Sequence, residues 1–168
     1  MNRAAVPLSR DELFAALNEV MDPEVPVLSV VELGIVRDVQ MSSDAVTVTL
    51  TPTYSGCPAM RAIEQDIVAA LRAHGIERVH LKTQYSPAWT TDWMSAAARE
   101  KLRRYGIAPP GAADHDAPVA IGRRRPLVRC PYCGSMNTQL RSEFGSTACK
   151  AIHVCDACSQ PFEEFKPI

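Results

Sequence analysis

Two C-x2-C pairs, Cys130-Pro-Tyr-Cys133 and Cys155-Asp-Ala-Cys158, constrain the fold of this chain more than any other feature. Two such pairs bring four thiolates to one tetrahedral metal ion. A segment of about 40 residues buries too little apolar surface to fold alone and usually needs a metal or disulfides. Zinc-binding energies of roughly 10–16 kcal/mol in small metal domains can make up that deficit. The tail is therefore predicted to be a zinc ribbon with strands near 126–130, 138–143, 151–154 and 161–166.

Other interpretations of the four-cysteine tail remain open. A closed four-sulfur site typically stabilises a fold and carries out no chemistry, which favours structural zinc. Four thiolates also bind iron or an iron–sulfur cluster, as in a rubredoxin-like electron carrier. A basic run beside the site would suit a nucleic-acid-binding ribbon; it comprises Arg123, Arg124, Arg125 and Arg129. The net charge of −1 argues against nucleic acid as a partner.

Composition places the chain among ordinary globular proteins. Apolar residues make up 46 % and charged residues 22 % of the sequence. No apolar run approaches the ~20 residues that span a bilayer, so we expect no membrane association. The segment Met1–Arg10 lacks an apolar core typical of secretory signals. Six cysteines then indicate a reducing compartment, and the cytoplasm is the expected location.

A proline- and glycine-rich stretch divides the chain into two predicted domains. We expect an N-terminal domain over 8–106, a linker over 107–125 and the metal-binding domain over 126–168. Helical periodicity, strand alternation and capping signals in the first domain, among them the S-x-x-E capping box of Ser9 and Glu12, give the order αββαβα. The predicted elements are a helix from Ser9 to Met21, strands at 35–41 and 46–51 joined by a turn at 42–44, a helix from Pro58 to His74, a strand at 79–83, and a helix capped by Thr90 or Thr91 that ends at Gly106. The fold class is α+β, with helices over one face of a small sheet.

Cys57 is the candidate reactive thiol of the first domain. It lies where a polar loop meets the start of a helix, and the positive end of a helix favours a thiolate. Gly56 before it would let the backbone approach a ligand closely. Thr51 and Thr53 add hydroxyl groups to the same loop. A lone cysteine can equally be a small buried apolar residue.

Cys149 is a sixth cysteine that a four-ligand site does not need. It can be a buried residue of the ribbon or a spare thiolate that exchanges metal ligands. His153 is expected to be a strand residue, since four sulfurs complete a tetrahedral site.

Several motifs resemble those of the iron–sulfur cluster assembly domain family. The segment from Asp22 to Val36, DPEVPVLSVVELGIV, is similar to the opening signature of that family. The segment from Thr51 to Pro58, TPTYSGCP, resembles its cysteine loop, and Ser86–Met94 also fits the family. Together with SEFGSTACK at 142–150 and the four-cysteine tail, these motifs resemble the D components of bacterial phenylacetyl-CoA epoxidase systems.

The resemblance implies an accessory role in aerobic phenylacetate breakdown and no catalytic residues of the chain's own. It implies transient handling of an iron–sulfur cluster at Cys57 and structural zinc held by the four tail cysteines. Cys149 is a candidate for a second cluster-handling thiol. Asp22, Glu24 and Glu32 would belong to the surface around Cys57, although turn or capping roles are the alternative and fit Asp22 at least as well. The implied partners are the other epoxidase components, above all the iron–sulfur reductase, together with cluster assembly proteins and a second copy of the chain.

Three functional hypotheses follow from these observations. The first is an assembly factor; since a cluster normally takes four ligands, a dimer, a small thiol, Cys149 or the client must supplement Cys57. The second is a structural or rubredoxin-like electron-transfer subunit of the oxygenase. The third is a nucleic-acid-binding ribbon protein.

Overall fold

The computed structural model describes residues 8–42, 45–111 and 127–168. The chain divides into two compact units, Met1–Trp89 and Thr90–Ile168. Among the described residues, no helix is long and apolar enough to cross a membrane.

The N-terminal unit is a three-stranded sheet with two helices. Its elements are α1 (Arg10–Leu17), β1 (Val36–Met41), β2 (Val46–Leu50), α2 (Met60–Ala73) and β3 (Val79–Thr83). The strand order is β1-β2-β3, with β1 antiparallel and β3 parallel to β2. Parallel neighbours need a crossover connection, and α2 supplies it between β2 and β3.

The apolar periodicity of the sequence places the core between the helices and the sheet. Ser9 and Glu12 form the predicted capping box at the start of α1. Ile63, Ile67 and Leu71 recur on one face of α2 and are fully buried. The buried strand residues include Val39, Val46, Val48 and Leu50.

Two predicted boundaries in this unit are wrong. The first helix ends at Leu17 with Asn18 as its C-cap, and does not continue to Met21. Its apolar period continues because Val20 is buried in the loop that follows, which periodicity alone cannot distinguish from helix. Helix α2 begins at Met60, because Pro58 and Ala59 lie in the turn before it.

Within the described residues, the C-terminal unit combines one α-helix with a four-stranded sheet. A short 3-10 helix (Thr91–Trp93) precedes α3 (Ala96–Tyr105). The strands are β4 (Ile107–Ala108), β5 (Thr138–Ser142), β6 (Lys150–Cys155) and β7 (Pro161–Phe165), in the order β4-β7-β6-β5. The antiparallel β5, β6 and β7 form the predicted ribbon, and β4 adds a parallel strand at its edge.

Several expectations about this unit need correction. Ser95 caps α3, while Thr90 caps the 3-10 helix, so the predicted single helix is two elements. Residues 127–130 form no strand. Leu127 and Phe144 are 64 % and 65 % exposed, whereas Phe162 and Phe165 are buried.

The division into units differs from the predicted boundary at residue 106. Helix α3 belongs with the ribbon, because Gly106 leads directly into β4, which pairs with β7. The predicted linker therefore begins with two residues that are part of a sheet. The rest of that linker from residue 112, the Arg123–Arg125 run and the turn residues 43 and 44 lie outside the described residues. The α+β class, with a ribbon after an αββαβα order, is confirmed.

Candidate metal centre and cysteine loop

The two C-x2-C pairs lie in two tight turns of the C-terminal unit. In the first turn, the Gly134 N–H donates to the Cys130 carbonyl at 3.0 Å. In the second, the Ser159 N–H donates to the Cys155 carbonyl at 2.8 Å. Gly134 and Ser159 have positive φ angles of 76° and 60°, which reverse the chain after each pair. The two turns therefore present their cysteines in the same way.

The four sulfurs are arranged as a tetrahedral metal site requires. All four Sγ atoms lie within 4.8 Å of one another. The Cys130–Cys158 and Cys133–Cys155 sulfur separations are 3.7 Å and 3.5 Å. Four sulfurs at the usual distance of about 2.3 Å from a tetrahedral ion lie about 3.8 Å apart. The donor set fits zinc or iron, since both accept four thiolates.

Simultaneous ionisation of all four thiols at neutral pH requires a bound cation. Burial opposes ionisation of Cys155, but the N–H groups of Cys158 and Ala157 and the adjacent thiols lower its pKa to about 7. The Gln160 N–H favours the Cys158 thiolate, yet burial and the neighbouring sulfurs raise the pKa of Cys158 to about 12. Four adjacent thiolates repel one another, so a metal ion must compensate the charge at neutral pH.

A small apolar cluster packs against the metal site. Cys130 and Cys155 are buried with Ala108 of β4 and Phe162 of β7. His153 lies on β6, as expected for a strand residue, with its Nε2 atom 2.8 Å from Glu164. His153 is not part of the four-sulfur group.

Cys149 lies outside the metal site and is buried. It is 4 % exposed and its sulfur lies 3.1 Å from the Thr147 hydroxyl. Its carbonyl accepts a hydrogen bond from the Lys166 N–H at 2.9 Å. The position matches that of a packed ribbon residue more closely than that of a ligand-exchanging thiolate.

Cys57 lies in the turn between β2 and α2 of the N-terminal unit. Its N–H donates to the Tyr54 carbonyl at 3.2 Å, and its own carbonyl accepts from Met60 at 3.3 Å. The side chain is half-buried. Ala59, the N-cap of α2, makes no side-chain capping bond, and its N–H donates to the Cys57 sulfur.

The expectation that the helix start favours a thiolate at Cys57 is not met. Burial is the largest effect and raises the pKa of the Cys57 thiol. Hydrogen bonds from Ala59 and Thr53 lower this pKa and the negative charges of Glu24 and Asp22 raise it, so burial decides the upward direction. Cys57 therefore keeps its proton at neutral pH until a cation replaces it.

The three predicted acidic residues have different roles. Asp22 is a turn residue: its Oδ1 atom accepts the N–H groups of Glu24 and Val25, both at 2.8 Å. Glu32 forms a capping box with Ser29, whose N–H donates to the Glu32 Oε2 atom at 3.1 Å. Sequence reasoning missed Ser29, although the S-x-x-E spacing that revealed Ser9 and Glu12 is also present here.

The other predicted residues of the cysteine loop, Thr51, Thr53 and Gly56, differ in their contacts. Thr53 is buried and hydrogen-bonds the Cys57 sulfur. Thr51 is 1 % exposed, and its hydroxyl has no partner among the described residues. A Cβ atom on Gly56 would meet only the Tyr54 ring at 3.9 Å, so no steric limit requires glycine there.

Trp89 explains part of a family-like motif that sequence reasoning left without a role. It is 4 % exposed, and its Nε1 atom donates to the Leu33 carbonyl at 2.9 Å. This bond ties the 86–89 segment to the Glu32-Leu33-Gly34 turn.

Two family models match separate parts of the chain. Residues 10–81 match the model described as an iron–sulfur cluster assembly protein. Residues 114–166 match the model described as the PaaD zinc beta ribbon domain.

Similar proteins of known name cover most of the chain or its N-terminal half. An Escherichia coli K12 protein, provisionally named as the D component of 1,2-phenylacetyl-CoA epoxidase, is 48 % identical over 94 % of this chain and 92 % of its own. The iron–sulfur protein maturation auxiliary factor YitW of Bacillus subtilis is 35 % identical over 55 % of this chain and 92 % of its own. A Bacillus anthracis crystal structure of a domain of unknown function, DUF59, covers 55 % of this chain and 90 % of its own, with 29 % identity and a TM-score of 0.52.

Proposed function

The chain belongs to the family of the D components of 1,2-phenylacetyl-CoA epoxidase, and we propose that it is an accessory factor that assists iron–sulfur cluster assembly for that oxygenase. The proposed client is the iron–sulfur reductase component. Other partners are the remaining epoxidase components, cluster assembly proteins and a second copy of the chain. The tail metal is zinc, which maintains the ribbon.

The half-buried thiol of Cys57 is the observation that carries this proposal. The four tail sulfurs belong to one metal site, and Cys149 is buried against Thr147. Cys57 is thus the thiol that remains available to a cargo, and it lies in the part of the chain similar to cluster assembly proteins. Glu24 and Asp22 add negative charge beside it, which favours a cationic iron cargo over an anionic ligand.

A single thiol suits transient binding and transfer. Iron–sulfur clusters are normally held by four cysteine ligands, so Cys57 holds a cluster only together with ligands from elsewhere. Because the pKa of Cys57 is raised, iron binding displaces a proton and the thiol regains it on release. Incomplete ligation and proton competition both keep the cargo exchangeable.

Replacement of Cys57 by serine tests the proposed role. Reductase produced with the Cys57→Ser variant should lose most of its cluster, measured by iron and sulfide content and by its visible absorption spectrum. Cys149→Ser is the matched control and should mature the reductase normally, because Cys149 faces Thr147 inside the ribbon. Both variants should retain zinc. Normal maturation with Cys57→Ser would contradict the proposal.

A rubredoxin-like electron carrier is the second candidate, since the sulfur separations of 3.5 and 3.7 Å suit iron as well as zinc. Metal analysis of the same anaerobic preparations separates the two. Iron in the tail of the wild type and of both variants, with a chromophore that survives Cys57→Ser, would favour the electron carrier.

A further inference from the structure

Strand β3 has an open edge. Its bonds to β2 use alternate residues: Val46 donates to the Arg78 carbonyl at 2.9 Å, and Gln84 donates to the Leu50 carbonyl at 2.8 Å. In a parallel ladder the residues between these direct their N–H and C=O groups to the other side. Val79, Leu81 and Thr83 therefore present theirs outward, and no strand of the described residues pairs there. An edge of this kind is ready to pair with another strand.

A groove runs beside this edge, between α2 and Leu81. Its volume is about 540 Å³. Val68 and Leu81 form its apolar centre, and both are only partly buried. Glu64 and Arg72 line it on either side of Val68, and each is four residues from it along α2. At 1.5 Å rise per residue, each charge lies about 6 Å along the helix from that centre.

We propose that a second copy of the chain covers this surface, with the two β3 strands paired antiparallel and the two α2 helices packed antiparallel. The two-fold axis passes by Leu81 and Val68. In this register Leu81 faces the partner's Leu81, and Val79 faces the partner's Thr83. Every outward N–H and C=O of these residues then has a partner, because all three are of the hydrogen-bonding type at the edge.

The charges of Glu64 and Arg72 on α2 also favour this antiparallel two-fold arrangement. In a two-fold interface, if one residue contacts a second, the second of the partner contacts the first. With the axis at Val68, Glu64 faces the partner's Arg72, and Arg72 faces the partner's Glu64. Two opposite-charge pairs then flank the apolar contact. A uniformly acidic or basic client segment would meet one of these charges with its own sign, so a second copy fits better.

The arrangement has a consequence for the proposed transfer function, on which this inference builds. Cys57 precedes α2, and α2 has 14 residues, or about 21 Å. Antiparallel packing puts the two Cys57 thiols at opposite ends of the helix pair. They cannot bind one cluster together, so each copy serves a client of its own, which supplies the remaining ligands.

Charge reversal tests the interface, with sedimentation equilibrium of the full chain as the measurement. The wild type should be a dimer. Glu64→Arg and Arg72→Glu each create like-charge contacts and should weaken the dimer at least about tenfold. The double variant restores both pairs with exchanged signs and should return dimer affinity to within about threefold of the wild type. Arg61→Glu is the control: it makes the same charge change on the same helix face but has no counterpart across the axis, so it should leave the dimer intact.

The outcomes distinguish this interface from the proposed function. A monomeric wild type, a double variant no tighter than the single variants, or equal weakening by Arg61→Glu would overturn the interface. A monomer whose groove becomes protected only when an epoxidase component is added would assign the surface to a client instead, and would also overturn it. None of these results bears on the Cys57→Ser test of cluster transfer, because sedimentation measures only the mass of the assembly.

Discussion

Burial and, to a smaller extent, nearby carboxylates raise the pKa of the Cys57 thiol. Asp22 is committed to its turn through the N–H groups of Glu24 and Val25. Glu24 is partly buried and acts on the thiol mainly through its charge. Asp22 thus shapes the backbone of the loop, whereas Glu24 raises the pKa of Cys57. Because the two roles belong to different residues, Glu24 can be changed without loss of the turn.

Glu24→Gln should make Cys57 more reactive near neutral pH. The pKa of Cys57 is raised by burial and by the Glu24 charge, so loss of this charge lowers the pKa and increases the thiolate fraction. Alkylation by iodoacetamide at pH 7.5, followed by mass spectrometry of the Cys57 peptide, should accelerate about two- to fivefold. Well above the pKa the rates should converge, because the thiol is then fully ionised in both proteins.

Glu32→Gln is the control for this change. Glu32 contacts the Ser29 N–H and is not among the groups that shift the pKa of Cys57. Glutamine keeps an acceptor oxygen there, so the rate should stay as in the wild type. An identical pH–rate profile for Glu24→Gln and the wild type would disprove the electrostatic role of Glu24.

The loop between β5 and β6 is tied to β7 by one carboxylate. Glu163 accepts the Ser146 N–H at 2.9 Å through Oε1 and pairs with Lys150 Nζ at 3.0 Å through Oε2. Gly145 donates its N–H to the Lys150 carbonyl at 2.7 Å. The SEFGSTACK motif is thereby held against the sheet, and Cys149 is buried at its end. Ser146 and Lys150 of this motif thus fix the loop to β7 through Glu163, a connection called the Glu163 tie below.

Gly145→Ala should destabilise the C-terminal unit. A Cβ atom there would lie 2.7 Å from Glu163 Oε1 and 3.2 Å from the Lys150 Cβ atom, so the tie must shift. The expected loss is about 1–3 kcal/mol, measured as the free energy of urea unfolding of the zinc-loaded chain. At Gly111 a Cβ atom would meet nothing within 4 Å, so Gly111→Ala should change stability little. Equal stability of the two variants would show that the tie is not tight.

The C-terminal unit extends well beyond the two cysteine pairs. The Thr91 N–H and the Thr90 hydroxyl both donate to the Ile168 carbonyl, at 3.0 and 2.8 Å. Ala108 of β4 is buried against Cys130 and Phe162. Residues well before Cys130 in sequence therefore contact the ribbon that carries the metal site. We propose that the folding unit begins at Thr90.

Fragments of the chain test this boundary and the need for metal. Fragment 90–168 should fold with zinc, giving dispersed amide resonances and a cooperative melt, because it keeps α3, β4 and the Ile168 bonds. Fragment 127–168 should bind zinc but melt at a lower temperature, because it lacks these contacts. Excess chelator should unfold both fragments, since no metal then offsets thiol repulsion and the small core. If both fragments melt at the same temperature, the boundary lies at the ribbon as the sequence predicted.

Sequence signals predicted the structure correctly where neighbouring residues along the chain determine it. The Ser9/Glu12 box, strand β3 and the buried Ile63, Ile67 and Leu71 stripe were all predictable, because each depends on neighbours within a few residues. Failures occurred where distant contacts decide. Val20 continues a helical period in a loop, and the pKa of Cys57 is raised by burial and by the charges of carboxylates far away in sequence.

Cysteine spacing determined from the sequence alone that the tail would close around one tetrahedral metal, since two C-x2-C pairs have few other uses in a chain of this composition. Motif similarity likewise indicated the family, and apolar periodicity with capping signals predicted the α+β class. Only the tertiary structure placed α3 and β4 with the ribbon, buried Cys149 beside Thr147, and raised the pKa of Cys57 through burial and the charge of Glu24. The physical reason is that metal ligation and capping follow local spacing, whereas burial and charge act through space between residues that the sequence keeps apart.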